Sequence, residues 1–283
     1  MNGQRSTTIA YEAGISDHCF NSGHVMNPQT LELAPLLARR ELWLLVSVGF
    51  VDPYHKQRFE LLRDSTFRQQ TTGAAALIAQ ECPAIELGPG EVNPKHLSPQ
   101  GLFAALDAQY ESIEVTYRQL FGLTAVSQQC PPCEIEFEPN ADVTYRSQRL
   151  GDAAGFYEAF GLEVSTCAGE RLDHISVEAE FLYVLLAKEA AALSQENRIG
   201  VEVCRDARRK FFQEHVGWWL PAFARVLSGV APPGYYRQLA TLTAGVSALE
   251  RVSLDLPPFS ARITPKPSQV EAEAVCFECI NRQ

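Results

Sequence analysis

The stretch Glu170–Ala187, E-R-L-D-H-I-S-V-E-A-E-F-L-Y-V-L-L-A, brings Glu170, Asp173, His174, Glu178 and Glu180 into one short span. Carboxylates beside an imidazole can attract a cation, hold the histidine charged or fix its tautomer. General-base chemistry would further need a nucleophile in reach of His174. The chain offers no G-x-S-x-G and no cysteine–histidine pairing at a recognised spacing. It also lacks a P-loop, a G-x-G-x-x-G run and an H-E-x-x-H pair. The pattern therefore points to binding rather than catalysis, with His174 as a hydrogen-bonding element of a binding site or its hinge. Plain helix capping is the competing reading, because a helix start attracts negative charge by itself.

Eight cysteines raise a second possibility. Cys19, Cys82, Cys167 and Cys204 are isolated and read as small core hydrophobes. Cys130-Pro-Pro-Cys133 and Cys276-Phe-Glu-Cys279 are C-x-x-C pairs, and two such pairs can complete a tetrahedral thiolate site for zinc or hold an iron–sulfur cluster. About 140 residues separate them, so a shared site requires the tail to fold back onto the Cys130 loop. The reading adopted is no cofactor, with zinc at Cys130, Cys133, Cys276 and Cys279 as the alternative. With no secretory signal at the N-terminus, the thiols are expected to be reduced and the protein cytoplasmic.

The element that must position the acidic cluster is a helix. Ile175, Ala179, Leu182, Leu186 and Ala190 recur at helical spacing, and Phe181 and Leu185 widen the stripe. Asp173 is placed to be its N-cap. Further helices are expected over Pro28–Phe50, His55–Asp64, Ser65–Gln80, Pro99–Phe121, Tyr145–Phe160, Ile199–Val216, Trp218–Ser228 and Pro233–Val252. Cys82–Pro99 reads as a long loop. Leu123–Thr144, with Pro131, Pro132 and Pro139, reads as a break whose Glu134–Glu138 part is an extended surface segment. The expected class is all-α: one multi-helix bundle over 28–255, a flexible arm at 1–27 and a tail at 256–283.

At 283 residues, 46% hydrophobic and 20% charged, the chain has ample material for a core. A net charge of −10 argues against nucleic acid, whose phosphates call for Lys and Arg, and suits a basic peptide. The apolar run Leu42–Val51 is about ten residues, half of the roughly 20 needed to span a bilayer, so no membrane insertion is expected. Arg39-Arg40 just before it reads as a solvated helix face.

G-D-A-A-G-F-Y-E-A-F-G-L-E (Gly151–Glu163) followed by Glu170–Phe181 resembles the TorD/DmsD/NarJ family of redox-enzyme maturation chaperones. The family's E-x-x-D-H-I-x-x-E-x-E-F segment is matched by Glu170, Asp173, His174, Ile175, Glu178, Glu180 and Phe181. F-F-Q-E-H-V-G-W-W-L-P-A-F (Phe211–Phe223) and Y-Y-R-Q-L-A-T-L-T (Tyr235–Thr243) are similar to its closing helices, and C-P-P-C-E-I-E-F-E takes the place of its P-P-Y-E-type loop. Cys133 stands where that loop carries an aromatic, and Ala179 where leucine is usual. The branch most alike handles chlorate, selenate, dimethyl sulfide or ethylbenzene enzymes.

The resemblance implies a non-enzymatic cytoplasmic chaperone. Its partner would be the precursor of a molybdenum-containing catalytic subunit with its twin-arginine leader. Two guanidinium groups followed by an apolar stretch call for carboxylates in fork-like reach and a nearby apolar groove. The residues expected to meet the client are Pro132, Glu134, Glu136, Glu170, Asp173, His174, Glu178 and Trp219, with Trp218, Phe223, Tyr235 and Tyr236 helping to form the groove. The alternative is a metal- or iron–sulfur-binding accessory subunit retained in an electron-transfer complex through its C-x-x-C pairs.

Overall fold

The structure, a computed structural model, describes residues 28–122, 130–139, 142–163, 170–259, 263 and 265. Its helices are α1 (Pro28–Gly49), α2 (Lys56–Phe59), α3 (Ser65–Glu81), α4 (Pro99–Gln109), α5 (Ile113–Phe121), α6 (Val143–Ala159), α7 (Ile175–Ser194), α8 (Arg198–Phe211), α9 (Leu220–Val230) and α10 (Tyr235–Ser253). Among the described residues extended pairing is limited to one isolated antiparallel bridge, Cys133 to His174. The all-α expectation holds. Several starts are set by short polar side chains that accept orphan backbone N–H groups: Asp64 from Phe67 N (2.8 Å), Asp142 from Tyr145 N (2.9 Å) and Asn197 from Gly200 N (3.0 Å).

Two helices form the centre. α7 buries Ile175, Ala179, Phe181, Leu182, Val184, Leu185 and Leu186, which cover more than one face, because α1 and α8 flank it. α10 is buried almost continuously from Leu239 to Arg251 against α9, α4 and α1. The segment 82–98 is a loop, as expected, tied down by Arg251, which donates to Glu91 Oε1 (2.6 Å), Glu91 Oε2 (2.8 Å) and the Glu86 carbonyl (2.6 Å). Gly90 in this loop has φ +87°, and a Cβ there would lie 2.4 Å from the Pro221 carbonyl oxygen, so both conformation and close approach require glycine.

The structure departs from the sequence expectation at several points. The single helix expected over Pro99–Phe121 is broken by a 3₁₀ turn at Tyr110–Ser112. There Ser112 Oγ takes the Gln109 carbonyl (3.0 Å), and the Gln109 amide accepts from Tyr235 N (2.8 Å), so the break holds the start of α10. The helix expected to run to Val216 ends at Phe211 and continues as a π turn, Phe212–Val216. Arg39 is not a solvated residue: it is half-buried beside Glu250, and burial lowers its pKa. It borders an ion cluster in which Arg208, 1% exposed, bonds Glu189 (3.0 Å) and Glu250, while Trp43 Nε1 donates to Glu250 (3.1 Å). Ions taken out of water in this way must be paired, and this pairing joins α1, α7, α8 and α10.

Candidate functional site

The site is built where the loop before α6 meets the start of α7. Pro132–Glu134 lies antiparallel to Asp173–Ile175: Ile175 N donates to the Pro132 carbonyl and Glu134 N to the Asp173 carbonyl, each at 2.9 Å. The first free N–H of α7 is thus satisfied by backbone from the loop. The cap is His174, not Asp173. Its Nδ1 accepts from Ser176 N (3.2 Å) and lies 2.7 Å from Ser176 Oγ. Burial, aided by the Arg171 charge, pushes the His174 pKa down to about 3. With its Nδ1 spent on the helix cap and its proton affinity lowered by burial, this imidazole has a structural role.

Asp173 instead fastens the loop. Its Oδ2 accepts from Ile135 N (3.0 Å), and Arg171 forks onto both carboxylate oxygens at 2.9 and 2.8 Å. The same guanidinium reaches Glu136 Oε1 (2.8 Å). Residues Glu134–Glu136 therefore form a buried 3₁₀ turn and not the extended surface segment expected. Ile135 and Phe137 drive that burial, with Phe137 in the core against Trp219 at 5.2 Å between ring centroids.

Glu134 is 2% exposed and saturated. Arg149 bonds its Oε1 and also the Glu214 carbonyl, Trp218 Nε1 donates to Oε1 (3.0 Å), and His215 Nδ1 lies 3.1 Å from Oε2. The π turn aims His215, Trp218 and Trp219 at the loop; an inserted residue of this kind recurs at functional sites. Trp219 Nε1 donates to the His215 carbonyl (2.7 Å) and to Glu178 Oε2 (3.2 Å). Among the described residues Glu178 has no ion pair and its Oε1 has no hydrogen-bond partner. Burial first, then the charges of Glu134 and Asp173, push its pKa well above the usual carboxylate range.

The predicted residues thus converge, but most face inward. Pro132, Glu134, Glu136, Asp173, His174, Glu178 and Trp219 share one seam, while Glu170 stands beside it, half-buried against the Asp52 backbone and near His55 and Arg58. Trp219, Phe223, Tyr235 and Tyr236 are core residues and do not line an open groove; only Trp218 of that set is half-buried. Sequence reading missed Arg149 and Arg171, the cations that neutralise the seam; the arginine inside E-R-L-D was the available signal for the second. Cys130 and Cys133 are buried free thiols whose pKa burial raises. Cys276 and Cys279 lie outside the described residues, and among the described residues no three of His, Cys, Asp and Glu are grouped to hold a metal. No helix among the described residues is long and apolar enough to cross a membrane.

A family described as "Nitrate reductase delta subunit" matches residues 99–225, a span that contains the whole seam. Over 118 residues, 42% of this chain and 58% of the relative, the chain is 31% identical to a selenate reductase assembly chaperone protein of Thauera selenatis. Over 67 residues, 24% of this chain and 29% of the relative, it is 34% identical to a perchlorate reductase assembly chaperone protein of Dechloromonas aromatica (strain RCB). These matches support a redox-enzyme maturation chaperone family for the chain. The chain spans less than two thirds of the length of either relative in these matches. No solved structure matches it significantly.

Proposed function

We propose that the chain is a cytoplasmic, non-enzymatic assembly chaperone for the molybdenum-containing catalytic subunit of a reductase. It holds the apo-precursor, including the twin-arginine leader, until the cofactor is inserted, and releases it for export. The role needs no resident cofactor. The observation that carries the reading is that the family match over residues 99–225 takes in the buried polar seam at the start of α7. That seam concentrates polar groups at a cost that hydrophobic packing would not incur, and its His174–Ser176 pair is buried as a helix cap. The acidic balance favours encounter with a doubly basic leader.

The test is copurification. The full chain, tagged, is co-expressed with the precursor of a large molybdopterin subunit encoded beside it, with and without the leader. Capture of the precursor, reduced when the leader is deleted or its two arginines are replaced, is expected. A chain that never retains the precursor refutes the reading.

A further inference from the structure

The aromatic side chains expected to form an apolar groove beside the seam are packed in the core, but a groove does exist at the π turn, and the chain fills it with its own residues. After α10 the chain runs on without regular structure as Leu256-Pro257-Pro258-Phe259. Leu256 and Pro257 each precede a proline, which favours extended backbone. Phe259 lies on the π turn, its ring centroid 6.4 Å from that of Phe212. A Cβ at Gly217 would stand 2.5 Å from the Phe259 ring, so glycine at that position makes room for it. Pro258 packs beside Gly88. A small cleft remains between segments 88–91 and 217–222, with Trp218 and Phe259 on its walls.

This strap is firm at its base and loose beyond it. The Leu254 carbonyl accepts from Arg209, the Leu256 carbonyl accepts from Arg251 Nη1 (3.0 Å), and the Leu256 side chain is buried. Past Leu256, among the described residues, no hydrogen bond reaches residues 257–259, and the two prolines have no N–H to give. Phe259 is only half-buried. The next tie is one exposed bond from Arg225 of α9 to the Ile263 carbonyl (3.3 Å). Side-chain packing alone therefore seats 257–259. Lifting that segment would uncover the Phe212 ring edge and Gly217, an apolar strip next to Trp218. Trp218 in turn donates to Glu134, so the strip is continuous with the seam.

We infer that this groove over the π turn is the docking surface for the apolar stretch of the client leader, and that residues 257–259 are its internal occupant, displaced when the leader binds. This rests on the reading that the chain binds a twin-arginine leader, and specifies where the apolar part goes. The occupant shows what fits: an extended segment that asks for no backbone hydrogen bonds and sets one aromatic ring against Phe212 and Gly217, the way extended peptides dock on aromatic-lined grooves. An occupant tethered to α10 competes at high effective concentration. Only a peptide with a sufficient apolar stretch displaces it, which makes the strap a filter against short basic peptides.

Calorimetry on the full chain tests this with two synthetic peptides: Ser-Arg-Arg-Ala-Phe-Leu followed by an apolar stretch, and the same with every apolar residue after the arginines replaced by serine. Phe259→Ala trims a half-buried ring, so its thermal midpoint should stay near that of wild type. It should bind the apolar peptide at least fivefold tighter than wild type does, with no gain for the serine peptide. A synthetic copy of residues 254–262 should compete with the apolar peptide for Phe259→Ala, and the copy with serine in place of its phenylalanine should not. If wild type binds the apolar peptide and Phe259→Ala binds it no tighter, or gains equally with the serine peptide, the strap is refuted and the proposed function stands. If neither protein binds the peptide and wild type does not retain the precursor, both fall.

Discussion

Asp173→Asn separates the geometry seen here from the cap expected by sequence. Asparagine is as good as aspartate at an N-cap, so a capping Asp173 would lose almost nothing on this exchange. In the structure Asp173 is 1% exposed and accepts three bonds, two from Arg171 and one from Ile135 N. The Ile135 bond drops from a charge-assisted to a neutral one, about 1 kcal/mol. The Arg171 fork weakens by about 1 kcal/mol, discounted because that side chain is 45% exposed. The new amide also places a buried donor against a guanidinium, adding about 1 kcal/mol more. The expected total is about 3 kcal/mol, or a fall in melting temperature of roughly 6–12 °C for a domain of this size. Urea unfolding followed by tryptophan fluorescence measures it, with Trp218 reporting the seam through its bond to Glu134. Asp64→Asn, at the N-cap of α3, is the control and should change stability by a few tenths of a kcal/mol. An Asp173→Asn loss no larger than that of Asp64→Asn would refute the argument that this carboxylate fastens the loop.

Three further outcomes are expected. Glu178 has a raised pKa when folded, so the native state binds more protons than the unfolded chain above about pH 4.3, and stability falls as pH rises from there. Glu178→Gln should therefore be more stable than wild type at pH 8 and gain nothing at pH 4; equal urea midpoints at pH 8 would contradict this. His174 is pushed down to about 3, so the unfolded chain binds the extra proton between about pH 6.5 and 3, and acidification through that window costs up to about 1.4 kcal/mol per pH unit. His174→Asn, which keeps a capping side chain, should flatten that part of the stability profile, and an unchanged slope counts against it. Arg208→Met leaves Glu189 and Glu250 buried with less counter-charge and should cost about 3–5 kcal/mol by chemical denaturation; adding Glu250→Gln should recover part of it, and a single-variant loss under about 1 kcal/mol would show the cluster to be well hydrated.

Some parts of this protein were readable from residue order alone. Apolar spacing at 3.6 residues located α1, α3, α6, α7 and α10, because a helix that packs on neighbours must repeat its buried side chains at that period. The family resemblance was also readable, since Glu170–Phe181 and Phe211–Phe223 carry their residue types at fixed spacing. The interruption of the long helix at Tyr110 and the π turn at Phe212 were not readable: both are set by partners far away in sequence, Tyr235 for the first and the loop carrying Glu134 for the second.

What the sequence determined by itself was therefore the all-α class, the order of helices and the place along the chain where polar residues gather. Which of those residues are available was decided only by tertiary structure. Glu134, Glu136 and Asp173 read as a charged surface because local sequence shows their charge and not the arginines that meet them. Arg149 approaches from α6 and Arg171 folds back from two residues away, and once each guanidinium is in place the carboxylates go inside as neutralised forks. Burial and pairing are properties of which surfaces meet, and periodicity states only which face of each helix seeks a partner, not which partner it finds.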